Sequence, residues 1–242
     1  MSSQWIASQP SIPYSLSPSS TTRICSLMTT VSGSIDAFLF VVAAASGTGK
    51  TSLVAALREQ RPDLAVSVSH TTRPMRPGER DGENYYFVER ETFETLIKEG
   101  QFLESAEVFG NLYGTSLNEI DRIKASGQST LLEIDWQGAL QIKEQLPDAQ
   151  LIFLLPPSLD ALRTRLLGRG QDSSEVIEKR LSMSVSEISQ YSAFDYLVVN
   201  DSFDLALSQL NDIISGRGAP YRRDVQEMAQ GELLTELLTE AR

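Results

Sequence analysis

Apolar and polar positions along this chain fall into two rhythms. Phe38 to Ala45 is a compact apolar run of strand length, followed by small residues and two glycines. A helical pattern then sets Leu53, Val54 and Leu57 on one face, runs to about Gln60 and is stopped by Pro62. Ala65 to Ser69 alternates with a period of two and predicts a strand, and Tyr85 to Val88 predicts another. Phe93, Leu96 and Ile97 mark a helix ending at Gly100. Phe102-Leu103-Glu104 and Glu107-Val108-Phe109 predict two short strands, with a turn at Gly110-Asn111. Tyr113-Gly114-Thr115 leads into Ser116-Leu117-Asn118-Glu119, a capping box at the head of a helix. Ser129 to Ile134, Gln150 to Leu155 and Tyr196 to Val199 predict further buried strands. Helices are expected from Trp136 to about Gln145, from a Ser158 cap through Leu167, from Glu175 to about Gln190, and from Phe203 to Ile214. Strands alternating with helices predict an α/β fold, with a mainly parallel sheet flanked by helices. The strand-rich stretch at about 69–116 interrupts that rhythm and reads as an inserted module.

The ends read differently from this body, which spans about 37–218. Residues 1–36 are rich in Ser and Thr, carry Pro10, Pro13 and Pro18, and have no acidic residue before Asp36, so disorder is expected. A secretory signal is disfavoured, because no long apolar region follows a basic start. A transit peptide would suit the acid-poor composition, although Arg23 is its only basic residue. A third reading places the natural start at Met28. Residues 219–242 predict a helical tail with Leu233, Leu234, Leu237 and Leu238 on one stripe.

Composition narrows the function. The chain has 242 residues, 41% of them hydrophobic, enough for a substantial core. A formal net charge of -11 argues against a broad nucleic-acid or anionic-membrane surface, though not against a small nucleotide held by a local basic cluster. One cysteine, Cys25, excludes an internal disulfide framework and a four-cysteine zinc site. No apolar stretch has the length of a membrane span, and a cytoplasmic location is the default expectation.

Ala44-Ala45-Ser46-Gly47-Thr48-Gly49-Lys50-Thr51-Ser52 lies between the first strand and the first helix, the layout of a phosphate-binding P-loop. Glycines let backbone N–H groups converge on phosphate oxygens, and the helix N-terminus adds a favourable dipole. Lys50 can reach the terminal phosphates, and the Thr51 hydroxyl can ligate magnesium. Ala44 stands where the usual pattern has glycine. Glu133 and Asp135, two apart at a strand end, point to one face of the sheet edge where ligands bind. One of them is expected to order the magnesium shell or approach a base, and a helix cap at Trp136 is the alternative for Asp135.

Four further segments carry a family resemblance: Ser67 to Glu79, Phe109 to Thr115, Asp135-Trp136-Gln137-Gly138 and Gly168-Arg169-Gly170. Together with the P-loop, over about Phe38 to Arg217, the chain resembles the guanylate kinases of bacterial type. The resemblance implies a P-loop nucleoside monophosphate kinase fold with a GMP-binding insertion (about 69–116) and a lid (about 165–182). It implies transfer of the terminal phosphate of ATP to GMP, with Mg2+ accompanying ATP and dGMP as a second acceptor. ATP would lie on Ala45 to Ser52 and near Asn200. Arg73, Arg76, Tyr85 and Tyr113 would hold the GMP phosphate, with the arginines as planar forks. Glu104 would accept from guanine N1–H and the 2-amino group, and Ser69 and Thr115 would donate to O6. Asp135 matches the family and Glu133 departs from it, since Asp is commoner there. Lys50, Arg165, Arg169 and Arg180 would stabilise the charge of the transferring phosphoryl group. The acceptor is already an anionic oxygen, so no general base is needed and His70 reads as structural. Two other functions remain open on sequence: a non-catalytic guanylate-kinase-like binding module, and a kinase for another small phosphate ester.

Overall fold

The computed structural model describes residues 39–167 and 174–239. The expectations for 1–36 and for Gly168, Arg169 and Gly170 fall outside these residues. The central sheet has the order β2-β7-β1-β8-β9, built from β1 (Leu39–Ala44), β2 (Leu64–Val66), β7 (Ser129–Glu133), β8 (Gln150–Leu155) and β9 (Tyr196–Val199). Every pairing in it is parallel. β1 is apolar throughout because both of its faces are buried. Phe40 and Val42 join one core cluster, while Val41 and Ala43 join the other.

Helices cover both faces. On the Phe40 face lie α1 (Lys50–Gln60), through Leu53, Val54 and Leu57, and α7 (Phe203–Asp212), through Ala206, Leu207 and Leu210. On the Val41 face lie α3 (Leu117–Ala125), α4 (Trp136–Gln145), α5 (Leu159–Leu167) and α6 (Ser174–Ile188). The tail forms α8 (Arg223–Ala229) and α9 (Gly231–Thr239), and α9 buries Leu234 and Leu237 in that same cluster. Leu233 and Leu238 pack at its border, so the apolar stripe read from the tail is the docking face. Among the described residues, no helix is long and apolar enough to cross a membrane.

The stretch at 69–116 carries a second sheet, β4-β3-β6-β5, formed by β3 (His70–Thr71), β4 (Tyr86–Phe87), β5 (Phe102–Val108) and β6 (Asn111–Ser116). A helix, α2 (Arg90–Lys98), buries Phe93 against Phe102, with ring centroids 4.5 Å apart. One expectation is corrected here. The two short strands expected at 102–104 and 107–109 are one strand, while Tyr113 to Thr115 lies in β6, which leads directly into α3 as expected. Ser105 and Ala106 resemble a break in sequence, yet β5 pairs with β6 along one edge and meets side chains of α4 along the other. Gln141 accepts from Ser105 N (3.1 Å) and donates to Ser105 O (2.8 Å), and Gln145 donates to Leu103 O (3.1 Å). These bonds seat the second sheet on the first and fix the strand that carries Glu104.

The strands expected at 65–69 and 85–88 are shorter, at Leu64–Val66 and Tyr86–Phe87. The capping box is half made. Ser116 Oγ accepts from Glu119 N (3.2 Å), but the Glu119 carboxylate serves Val68 N (3.1 Å) and Arg122 instead.

Candidate functional site

β1 and β7 deliver their C-terminal ends to one cavity of about 280 Å³, which the second sheet closes from the opposite side. Its wall includes Ala45, Ser46, Gly47, Gly49, Lys50, Thr51, Ser52, Ser69, Arg76, Tyr85, Glu104, Tyr113, Glu133, Asp135, Arg180 and Glu187. A crevice at the carboxyl ends of parallel strands is where open α/β sheets bind ligands.

The P-loop turns through Gly47 (φ 90°) and Gly49 (φ 98°), a left-handed conformation that costs glycine nothing. No side chain caps α1, so the N–H groups of its first turn are left for an anion. Lys50 Nζ donates to Ile134 O at the end of β7. Thr51 Oγ1 donates to Glu133 Oε1 (2.6 Å), which brings a hydroxyl and a carboxylate oxygen to one point. Such hard oxygen donors suit Mg2+, which takes its remaining ligands from phosphate and water. The longer arm of Glu133 still reaches Thr51, so this departure from the family keeps the oxygen pair intact.

Two P-loop residues are held from behind. Thr48 is fully buried, and its carbonyl accepts from Asn200 Nδ2 (2.7 Å) and from the Arg165 guanidinium (3.2 Å). Arg165 also donates to Asn200 O (2.9 Å). Arg165 and Asn200 thus brace the loop from outside the cavity wall. Ser46 N donates to Glu187 Oε2 (3.0 Å), and Ser46 O accepts from Ser184 Oγ (3.3 Å).

The far wall buries polar side chains. Glu104 is 2% exposed on β5, and its Oε1 has no hydrogen-bond partner among the described residues. Burial pushes its carboxyl up to about 7, partly offset by the Thr115 hydroxyl and reinforced by Asp135. Ser69 Oγ lies 3.3 Å from Thr115 Oγ1, so the two hydroxyls form a pair beside this carboxyl. Tyr85 and Tyr113 line the cavity with ring centroids 5.9 Å apart. Burial and the nearby Glu133 push the Tyr85 hydroxyl up to about 12, so it stays protonated as a donor.

Asp135 is the N-cap of α4: its Oδ1 accepts from Gly138 N (2.9 Å) and its Oδ2 from Gln137 Nε2 (3.1 Å). The capping alternative read from the sequence is therefore realised, and burial still holds this carboxyl above its usual range. Arg73 forms a fork with Glu79 (3.0 and 2.7 Å) and lies over the Tyr85 ring at 5.5 Å. It stands behind the tyrosine rather than in the cavity, while exposed Arg76 sits on the rim. Arg180 reaches the cavity from α6 and lies 6.0 Å from the centroid of Phe109, at the tip of the β5–β6 hairpin. His70 packs on Tyr86 and Phe102, and burial lowers its pKa, as fits a structural residue. Sequence reasoning missed Glu187 and Ser184, because neither belongs to a motif around the P-loop.

The guanylate kinase family model matches residues 37–217. A guanylate kinase of Pseudomonas fluorescens is 52% identical over 200 residues, covering 83% of this chain and 96% of that protein. One from Salmonella typhimurium is 52% identical over 204 residues, covering 84% and 98%. The crystal structure of guanylate kinase from Anaplasma phagocytophilum superposes with a TM-score of 0.63 at 32% identity, covering 80% of this chain and 94% of that one.

Proposed function

The chain belongs to the guanylate kinase family and transfers the terminal phosphate of ATP to GMP; from that premise we propose how its residues divide the work. The observation that carries this reading is Glu104 Oε1, a buried acceptor without a partner at the wall of a cavity that also holds the P-loop. Guanine offers N1–H and the 2-amino group side by side, and one carboxylate accepts from both. Ser69 and Thr115, paired at 3.3 Å, donate to the guanine O6. Adenine lacks that set of donors, and a site built on such pairs rejects the analogue strongly. Nothing in this set depends on the ribose 2′-hydroxyl, so dGMP is also accepted.

The GMP phosphate lies between Arg76, Tyr85 and Tyr113, and Arg73 joins it by exchanging Glu79 for a phosphate oxygen. ATP lies on Ala45 to Ser52, with its phosphates on the free N–H groups of α1 and Asn200 near its adenine. Thr51 and Glu133 would hold the Mg2+ that accompanies ATP, which would supply positive charge to the phosphates. An oxygen of the GMP phosphate attacks the terminal phosphorus of ATP. The bond to the bridging oxygen breaks, ADP leaves, and GDP forms. Lys50, Arg169 and Arg180 stabilise the charge spread over the transferring group, and Arg165, which holds Thr48 O and Asn200 O, supports it through the P-loop. Closure of the lid, about 165–182, excludes water and limits hydrolysis of ATP.

In this reading residues 37–218 are the kinase unit, 69–116 bind GMP, 219–242 brace the core and 1–36 lie apart from catalysis. A cytoplasmic site of action belongs to the same reading, supported by a cysteine content too low for disulfides. The test is ADP formation from ATP with GMP, dGMP, AMP and ribose phosphates as acceptors. Equal rates with GMP and AMP would remove Glu104 from its assigned role.

A further inference from the structure

Helix α6 does more than carry Arg180. Arg180, Ser184 and Glu187 stand at i, i+4 and i+7, one stripe of a single helix face. Two members of that stripe grip the same residue of the P-loop. Glu187 Oε2 accepts from Ser46 N at 3.0 Å, and Ser184 Oγ donates to Ser46 O at 3.3 Å. These atoms belong to the two successive peptide units on either side of the Ser46 α-carbon. Ser184 is fully buried and Glu187 lines the cavity.

The placement of Glu187 is costly unless it has a task. A carboxylate faces a cavity built for a polyanion, and burial and the nearby Asp135 raise its pKa, while Lys50 and Arg180 oppose them. The loop it holds has reason to need holding. Gly47 follows immediately, and glycine allows many backbone conformations besides the one at φ 90°. Leu162 and Leu166 of α5 close over Gly47, where an added Cβ would meet them at 3.0 and 3.1 Å. Apolar contacts of this kind limit space but do not orient a peptide plane, whereas two hydrogen bonds of opposite polarity do.

We propose that Ser184 and Glu187 clip the Ser46 peptide units to α6 and so set the position of Arg180 relative to the P-loop. Glu187 is thereby a positioning residue for phosphoryl transfer. At 1.5 Å per residue, Glu187 and Arg180 lie roughly 10 Å apart along the helix, so a pinned lower end fixes where the guanidinium arrives. The contribution is geometric: it needs the acceptor oxygen of Glu187, not its negative charge.

The experiment compares Glu187→Ala, Glu187→Gln and Ser184→Ala in the full chain by steady-state kinetics, GMP binding and thermal melting. Glu187→Ala is expected to lower kcat about 10²-fold, the scale of a misplacement near 1 Å, with GMP affinity unchanged. Glu187→Gln keeps an acceptor oxygen and is expected to return kcat to within about tenfold of the parent, the difference between a charged and a neutral hydrogen bond. Ser184→Ala is expected to fall between the two. A kcat retained by Glu187→Ala would overturn the proposal. So would Glu187→Gln being as impaired as Glu187→Ala, which would make the charge the active element. A parallel fall in kcat, GMP affinity and melting temperature would reduce the clip to a structural role. If Glu187→Ala does not fold, the Gln and Ser184 variants still decide the question.

Discussion

Gly138 stands so close to Glu104 that a Cβ built on it would lie 2.5 Å from Oε2. The glycine is the third residue of α4, and Asp135 caps its amide at 2.9 Å. The capped first turn of α4 is therefore the floor on which the Glu104 carboxylate rests.

Gly138→Ala should displace that carboxylate while leaving the helix sound. Alanine is favoured over glycine within a helix by about 0.8–1.0 kcal/mol, which offsets part of the crowding against Ile134. A displacement near 1 Å in a base-reading group costs about 10²-fold in efficiency with GMP. Steady-state kinetics with GMP and binding of ATP separate the two sites. Unchanged kcat/KM for GMP would mean that Glu104 has room to move without consequence.

The sequence exposes some of this arrangement and conceals the rest for physical reasons. β1 is legible because burial on both faces demands an unbroken apolar run, and Gly47-Thr48-Gly49-Lys50 has few alternative uses in that position. Glu104 is legible only through family likeness: a lone Glu beside Phe102 and Leu103 otherwise reads as one face of a short strand. The continuity of β5 is hidden because the groups that satisfy Ser105 are on Gln141, 36 residues later. Glu187 is hidden more deeply, since its bond to Ser46 spans 141 residues and its own helix would form without it. The pattern places the hairpin turn one residue late, at Gly110-Asn111 rather than Phe109-Gly110, and it hides the positive φ of 51° at Phe109, because Gly110 is the residue expected to take up the strain.

Leu237→Ala tests whether the tail supports the kinase. Leu237 is fully buried in the cluster that includes Leu181 and Val185 of α6. Truncating a buried leucine costs about 2–5 kcal/mol. Chemical denaturation should register this loss, and kcat measured well below the melting point should change little. A variant as stable as the parent would mean that α9 is not docked in solution.

Lys50→Ala should abolish most turnover without unfolding the protein. Its ammonium makes one described hydrogen bond, to Ile134 O, and it lines the cavity proposed to take the phosphates. Loss of a single donor aimed at developing charge costs about 10²–10³-fold in kcat. GMP affinity should be spared, because the contacts proposed for the base and phosphate of GMP come mainly from the second sheet and its loops. A comparable loss of GMP affinity would show that the two substrates are not bound independently.

The pH dependence of GMP binding should carry the signature of Glu104. Burial pushes its carboxyl up to about 7, and in its proposed role the ionised form accepts from both guanine donors. Affinity should therefore weaken as pH falls below 7 and level off above it. The GMP phosphate itself titrates near pH ~6, so Glu104→Gln serves as the reference that subtracts that contribution. An identical pH profile in both proteins would place the titrating group elsewhere.

Glu104→Gln should also stabilise the free protein while it weakens base recognition. A carboxyl whose folded pKa is raised contributes nothing unfavourable below its unfolded value, since it is protonated in both states. The cost grows as pH rises from about 4.5 to 7, then holds, at on the order of 3 kcal/mol for a shift of this size. Glutamine removes that cost, so the melting temperature of the ligand-free variant should exceed that of the parent at pH 8 and match it most closely near pH 5. With GMP the order reverses. The glutamine amide presents a donor to one of the guanine donors, and an unmatched buried polar group costs about 1–3 kcal/mol, so thermal stabilisation by GMP should largely vanish. ATP, held at the P-loop, should stabilise both proteins equally. A variant that melts lower than the parent without ligand would mean that the Glu104 carboxylate is satisfied by the protein itself, and its partnerless Oε1 would then say nothing about guanine.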